Sequence, residues 1–154
     1  MKPFALAAVL CVLMAPSVLA LRPVPFHAVI DTAFDIPPAC GQTCGFTISG
    51  VGQATHLGRV STDGPSSIDF ATGVQTGTST LTAADGSELK IEFHGSFSPT
   101  SPTDVAFSGS WSVIGGTGRF ADSDGGGDYQ GAASLATATG VLYLDGSVSD
   151  TGGH

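Results

Sequence analysis

The sequence predicts an all-β protein, an eight-stranded antiparallel barrel, with a β-sandwich as the alternative. Three observations predict it. Apolar residues recur at every second position in the clearest segments, the period of a half-buried strand. Turn residues punctuate the chain at short, fairly regular intervals, as in all-β sandwiches and barrels. Beyond residue 20, no long window carries apolar residues at helical spacing. A barrel is favoured because closure removes the exposed edges that a lightly charged sheet would otherwise have to protect. Glycines inside strand patterns, at Gly50, Gly52, Gly95 and Gly109, suit the sharp bends of a small barrel.

The chain divides into a signal peptide at 1–20, an N-terminal strand and cysteine loop at 21–44, the rest of one barrel domain at 45–150, and a flexible tail at 151–154. Met1-Lys2 supplies a positive start, Phe4–Leu13 an apolar run, and Val18-Leu19-Ala20 the small residues that a signal peptidase reads. The run is too short to span a bilayer, which needs about 20 residues. The alternative is a buried N-terminal helix. Cleavage would leave Leu21 first and make the protein secreted or periplasmic.

Two strands are read most clearly. Leu89, Ile91, Phe93 and Phe97 alternate with Lys90, Glu92, His94 and Ser96; Val105, Phe107, Trp111 and Val113 alternate with Ala106, Ser108, Ser110 and Ser112. Weaker strands are expected at Val24–Phe34, Phe46–Ser61, Ser67–Phe70, Gln75–Ala83, Asp128–Leu135 and Gly140–Ser149. Asp85-Gly86 reads as a hairpin turn. A strict two-residue turn there would set Leu81 opposite Lys90, so a bulged loop is expected, which puts Leu81 level with the apolar face. Asp63-Gly64-Pro65, Ser98–Thr103, Gly125-Gly126-Gly127 and Asp145-Gly146 read as further breaks.

Composition narrows the function. Charged residues make up 12% of the chain, about half the usual share of roughly 25%. Hydrophobic residues make up 42%, so the low charge does not signal disorder. The formal net charge is −8 and the few cations are scattered, which argues against nucleic acid and against anionic membrane surfaces as partners. No cofactor is implied. G-x-S-x-G, H-E-x-x-H and the phosphate loop are all absent.

Cys40 and Cys44 are the cysteines left after cleavage, and export favours a disulfide between them. Free thiols are the alternative, and no further soft ligands stand at a zinc-site spacing. His56 shares a face with Phe46, Ile48 and Val60 if one strand runs unbroken through it. It would then be either a core histidine or a general base. Asp122, Asp124 and Asp128 crowd around a glycine run, but the spacing fails as an EF-hand and a polar loop is the plainer reading. Phe93, Phe97, Phe107, Trp111 and Tyr143 are expected to face the barrel interior, where they either fill it or line a small apolar pocket.

Three stretches also carry a family resemblance: Gly50-Val-Gly-Gln-Ala-Thr-His-Leu-Gly-Arg59, Gly77-Thr-Ser-Thr-Leu-Thr-Ala-Ala-Asp-Gly86 and Gly115-Gly-Thr-Gly-Arg-Phe-Ala121. They resemble secreted bacterial proteins of the allene oxide cyclase barrel-like group, and the last also resembles the Gly-Gly-Thr-Gly-x-Phe stretch of plant dirigent proteins. The resemblance covers roughly residues 45 to 149 and rests on glycine and turn residues. It implies an eight-stranded antiparallel barrel with a central cavity, and carries over no functional residue. The expected function is a secreted, non-catalytic barrel that holds a small apolar molecule. The alternatives are a structural or surface-interaction protein with a filled barrel, and a cyclase or isomerase that acts by shaping its substrate.

Overall fold

A computed structural model describes residues 22–149; the signal-peptide segment and the tail lie outside them. Eight strands follow one another in chain order: β1 (Pro23–Asp35), β2 (Thr43–Ala54), β3 (Gly58–Asp69), β4 (Val74–Ala83), β5 (Glu88–Pro99), β6 (Asp104–Gly116), β7 (Gly125–Ser134) and β8 (Thr139–Ser149). Each pairs antiparallel with the next, and β8 pairs back onto β1, so the sheet is a closed barrel. The sole helical element among the described residues is a single 3₁₀ turn at Gly118–Phe120. None of their helices is long and apolar enough to cross a membrane.

The period-two pattern places the core. On β1, Phe26, Ala28, Ile30 and Thr32 are buried while His27, Val29 and Asp31 are exposed. Leu89 and Ile91 on β5 and Trp111 on β6 point inward as their alternation requires. Each fully buried large side chain, such as Phe26, Ile30 or Leu89, contributes about 1.5–3 kcal/mol by leaving water. The Asp85-Gly86 hairpin is bulged. Ala83 and Ser87 close a three-residue loop, Gly86 sits at φ +83°, and Leu81 pairs with Leu89.

The strand boundaries differ from the sequence reading in three places. Phe46–Ser61 is not one strand: β2 ends at Ala54, and the chain reverses through Thr55–Leu57 into β3. The reversal uses left-handed backbone at His56 (φ +66°) and Gly58 (φ +68°). Asp63-Gly64-Pro65 is not a turn. These residues stay in register within β3, opposite Ser49, Ile48 and Thr47. Gly125–Gly127 and Asp145-Gly146 likewise lie in β7 and β8 and not in a loop, with Gly127 opposite Gly146.

These inner glycines have a packing purpose. Trp111 is followed around the barrel by Gly127 on β7, Gly146 on β8 and Phe26 on β1. With no side chain on the two intervening strands, the indole meets the Phe26 ring at 5.4 Å between centroids. Its Nε1–H donates to the carbonyls of Asp128 and Asp145. Large inward rings elsewhere also stand beside glycines. A Cβ at Gly77 would meet Phe93, and one at Gly131 would meet Phe107.

Candidate functional site

The two ends of the barrel are built differently. At the end where β1 begins and β8 finishes, Phe26, Leu57, Val60, Leu89, Trp111 and Phe120 are buried together and plug the lumen. At the other end lie the β1–β2, β3–β4, β5–β6 and β7–β8 connections, and the interior there is open. The cavity has a volume of about 740 Å³, within the range of roughly 300–1,000 Å³ usual for small-molecule sites.

The cavity walls are mostly apolar. Ile30, Leu81, Ile91 and Leu144 form its deep end. Phe93, Phe97 and Phe107 stand on its wall, and Phe34, Phe46 and Phe70 surround the mouth. The rings contact one another edge-on: Phe70 with Phe97, Phe34 with Phe46, and Phe93 with Tyr129. Cys40 and Cys44 are bonded to each other. The β1–β2 connection in which Cys40 lies brings Pro37, Pro38 and Cys40 to the mouth.

Few polar groups interrupt this surface. Tyr129 is buried on β7, and its ring crosses Gly109 on β6 and Gly95 on β5 to reach Gln75 on β4. A Cβ at either glycine would collide with that ring or its hydroxyl. The phenol donates to Gln75 Oε1 at 3.4 Å, a bond that leaves the amide nitrogen of Gln75 unused. Burial pushes the Tyr129 pKa up to about 12, so the phenol stays a neutral donor at physiological pH. Thr62 and Ser79 share a short hydroxyl hydrogen bond of 2.5 Å. Thr32 also lines the cavity, and its Oγ1 is buried without a partner. Among the described residues the lining includes no Lys, Arg or His, and its one acidic residue, Asp35, is exposed at the mouth.

The structure brings together three of the residues expected from sequence, Phe93, Phe97 and Phe107. It does not bring the others to them. Trp111 faces inward but belongs to the plug. Tyr143 is on the outer surface, 42% exposed, because its neighbours Leu142 and Leu144 take the inward positions of β8. His56 sits in the exposed β2–β3 turn at the plugged end, where its Nε2–H donates to the Pro25 carbonyl. The expected apolar face for it does not exist, because the strand ends two residues earlier. Asp122 and Asp124 lie in the exposed β6–β7 connection, and Asp128 faces outward on β7. Among the described residues no cluster of three or more His, Cys, Asp or Glu could hold a metal ion.

Tyr129, Gln75 and Thr32 escaped the sequence reading. A signal for Tyr129 exists in the inward Gly95 and Gly109, whose empty places in two apolar faces mark where a neighbouring ring must lie.

Comparison with solved structures settles the fold type. A structure of the pterocarpan synthase dirigent protein GePTS1 superposes with a TM-score of 0.51, covering 88% of this chain and 94% of that one at 15% identity. The barrel is dirigent-like. No family model and no curated protein matches the sequence, so the dirigent-like barrel is a likeness of fold.

Proposed function

We propose that the protein is a secreted, non-catalytic barrel whose open half holds a small apolar molecule. The observation that carries this reading is the unequal filling of the lumen. Aromatic side chains plug one half, while the other keeps a ligand-sized apolar cavity open to solvent. A purely structural barrel has no use for such a cavity, since each unfilled space forfeits packing energy. Secretion rests on the signal-like residues 1–20 and fits the disulfide.

The test uses Nile red, an uncharged apolar dye. It should bind saturably at one site and be displaced by other apolar compounds. Ala133→Phe should abolish binding without unfolding the barrel, because Ala133 lines the cavity and faces the side-chain-free Gly140, which leaves room for a ring. A wild-type protein that takes up no dye would refute the proposal.

A second reading is favoured by one observation, the neutral Tyr129 phenol inside the cavity. The protein would then shape a bound substrate toward one product, in the manner of a dirigent- or cyclase-type barrel. Turnover lost in Tyr129→Phe with dye binding intact would select this reading.

A further inference from the structure

We propose that the molecule held in the cavity is uncharged and carries a hydrogen-bonding oxygen, a ketone, ether or alcohol, that docks on Thr32. This rests on the ligand-binding reading above.

The argument starts from register. Thr32 on β1 pairs with Gly50 on β2 and Gly140 on β8. Both flanking positions lack side chains, so no hydroxyl, amide or carboxylate stands beside Thr32 in its row. The next residue beyond Gly50 is Thr62, whose hydroxyl is already engaged with Ser79 and whose methyl leans toward Gly50. Thr32 is therefore 5% exposed with an unpartnered Oγ1. Buried hydroxyls are almost always hydrogen-bonded. The other unpartnered buried oxygen among the described residues, Ser123 Oγ, lies in the β6–β7 connection, away from the cavity.

Thr32 borders the cavity, and its χ1 has alternative staggered wells that exchange the places of methyl and hydroxyl. With the hydroxyl turned toward the lumen, a ligand oxygen in the cavity would supply the partner that the fold withholds. A hydroxyl can donate to a ketone or ether and accept from an alcohol. The rest of the lining sets the charge. With no cation on the wall among the described residues, a buried carboxylate would lose its hydration with nothing to replace it. A buried ammonium fares no better, since Asp35 is exposed at the mouth and not within the cavity.

Three ligands of one shape test this: acetylnaphthalene, ethylnaphthalene and naphthoate, each measured by displacement of Nile red. The wild-type protein should prefer the ketone over the hydrocarbon by roughly tenfold, the scale of one good hydrogen bond, and should bind naphthoate least. In Thr32→Val, of nearly the same shape, that preference should vanish while ethylnaphthalene still binds. The variant should be no less heat-stable than the wild type, because the lost hydroxyl bonded nothing. A preference that survives in Thr32→Val but disappears in Gln75→Leu would place the oxygen at Tyr129 and Gln75 and overturn the proposal. Naphthoate binding as tightly as the ketone would also overturn it. Equal wild-type affinity for ketone and hydrocarbon would refute the Thr32 assignment while leaving the ligand-binding reading standing. Failure of Nile red itself to bind would refute both.

Discussion

Raising the pH through the alkaline range should destabilise the barrel through Tyr129. Burial raises this phenol from 10.0 to about 12. The folded state therefore holds the proton more tightly than the unfolded chain. Below pH 10 both states are protonated and stability is complete. Above pH 10 the unfolded chain ionises first and stability falls, until the folded phenol also ionises near pH 12. The interval corresponds to roughly 2–3 kcal/mol, and solvent in the open cavity screens part of it, leaving about 1–2 kcal/mol. Urea unfolding, followed by Trp111 emission from neutral pH upward, should show this loss in wild type and not in Tyr129→Phe. Phenolate absorbance in Tyr143→Phe isolates the Tyr129 phenol, since the chain has two tyrosines. If that phenol ionises near pH 10 while Trp111 still reports a folded barrel, the reasoning about its burial is wrong.

Other perturbations probe the frame. Phe26→Ala, which empties a fully buried site in the plug, should cost about 3–5 kcal/mol in chemical denaturation. Gly109→Ala should cost about 1–3 kcal/mol, read as a lower melting temperature, because its Cβ would press on the His94 carbonyl and the Tyr129 ring. Thiol titration of the unfolded, unreduced protein should find no free thiol at Cys40 or Cys44. Replacing both cysteines by serine should cost no more than about 2 kcal/mol, since the closed loop is short.

The fold was legible wherever side chains alternate. Leu89, Ile91, Phe93 and Phe97 all face inward as their spacing requires, and the bulged Asp85-Gly86 loop follows from the need to level Leu81 with Leu89. Glycine was harder to read. Gly64, Gly126 and Gly146 look like turn residues, yet they sit in strands where a neighbouring backbone comes too close for a Cβ. The true turn between β2 and β3 pairs a left-handed Gly58 with a left-handed residue that is not glycine, His56. The cavity was out of reach for a different reason. The inward residues of a plugged barrel and of an open one have the same apolar pattern. The difference lies in the third dimension, where Trp111 and Phe26 meet across two glycine-bearing strands while Phe93 and Phe107 line an open cavity.

The pairing of Pro23 with Ser149 brings the first strand's start beside the last strand's finish, at the plugged end. An attachment at either point, whether a fused domain, a tag or a surface tether, leaves the mouth facing away and unobstructed. The same adjacency permits a circularly permuted chain. A short linker could join residues 149 and 23, and new termini could be opened in the exposed turn at Thr55–Leu57, with the cavity untouched.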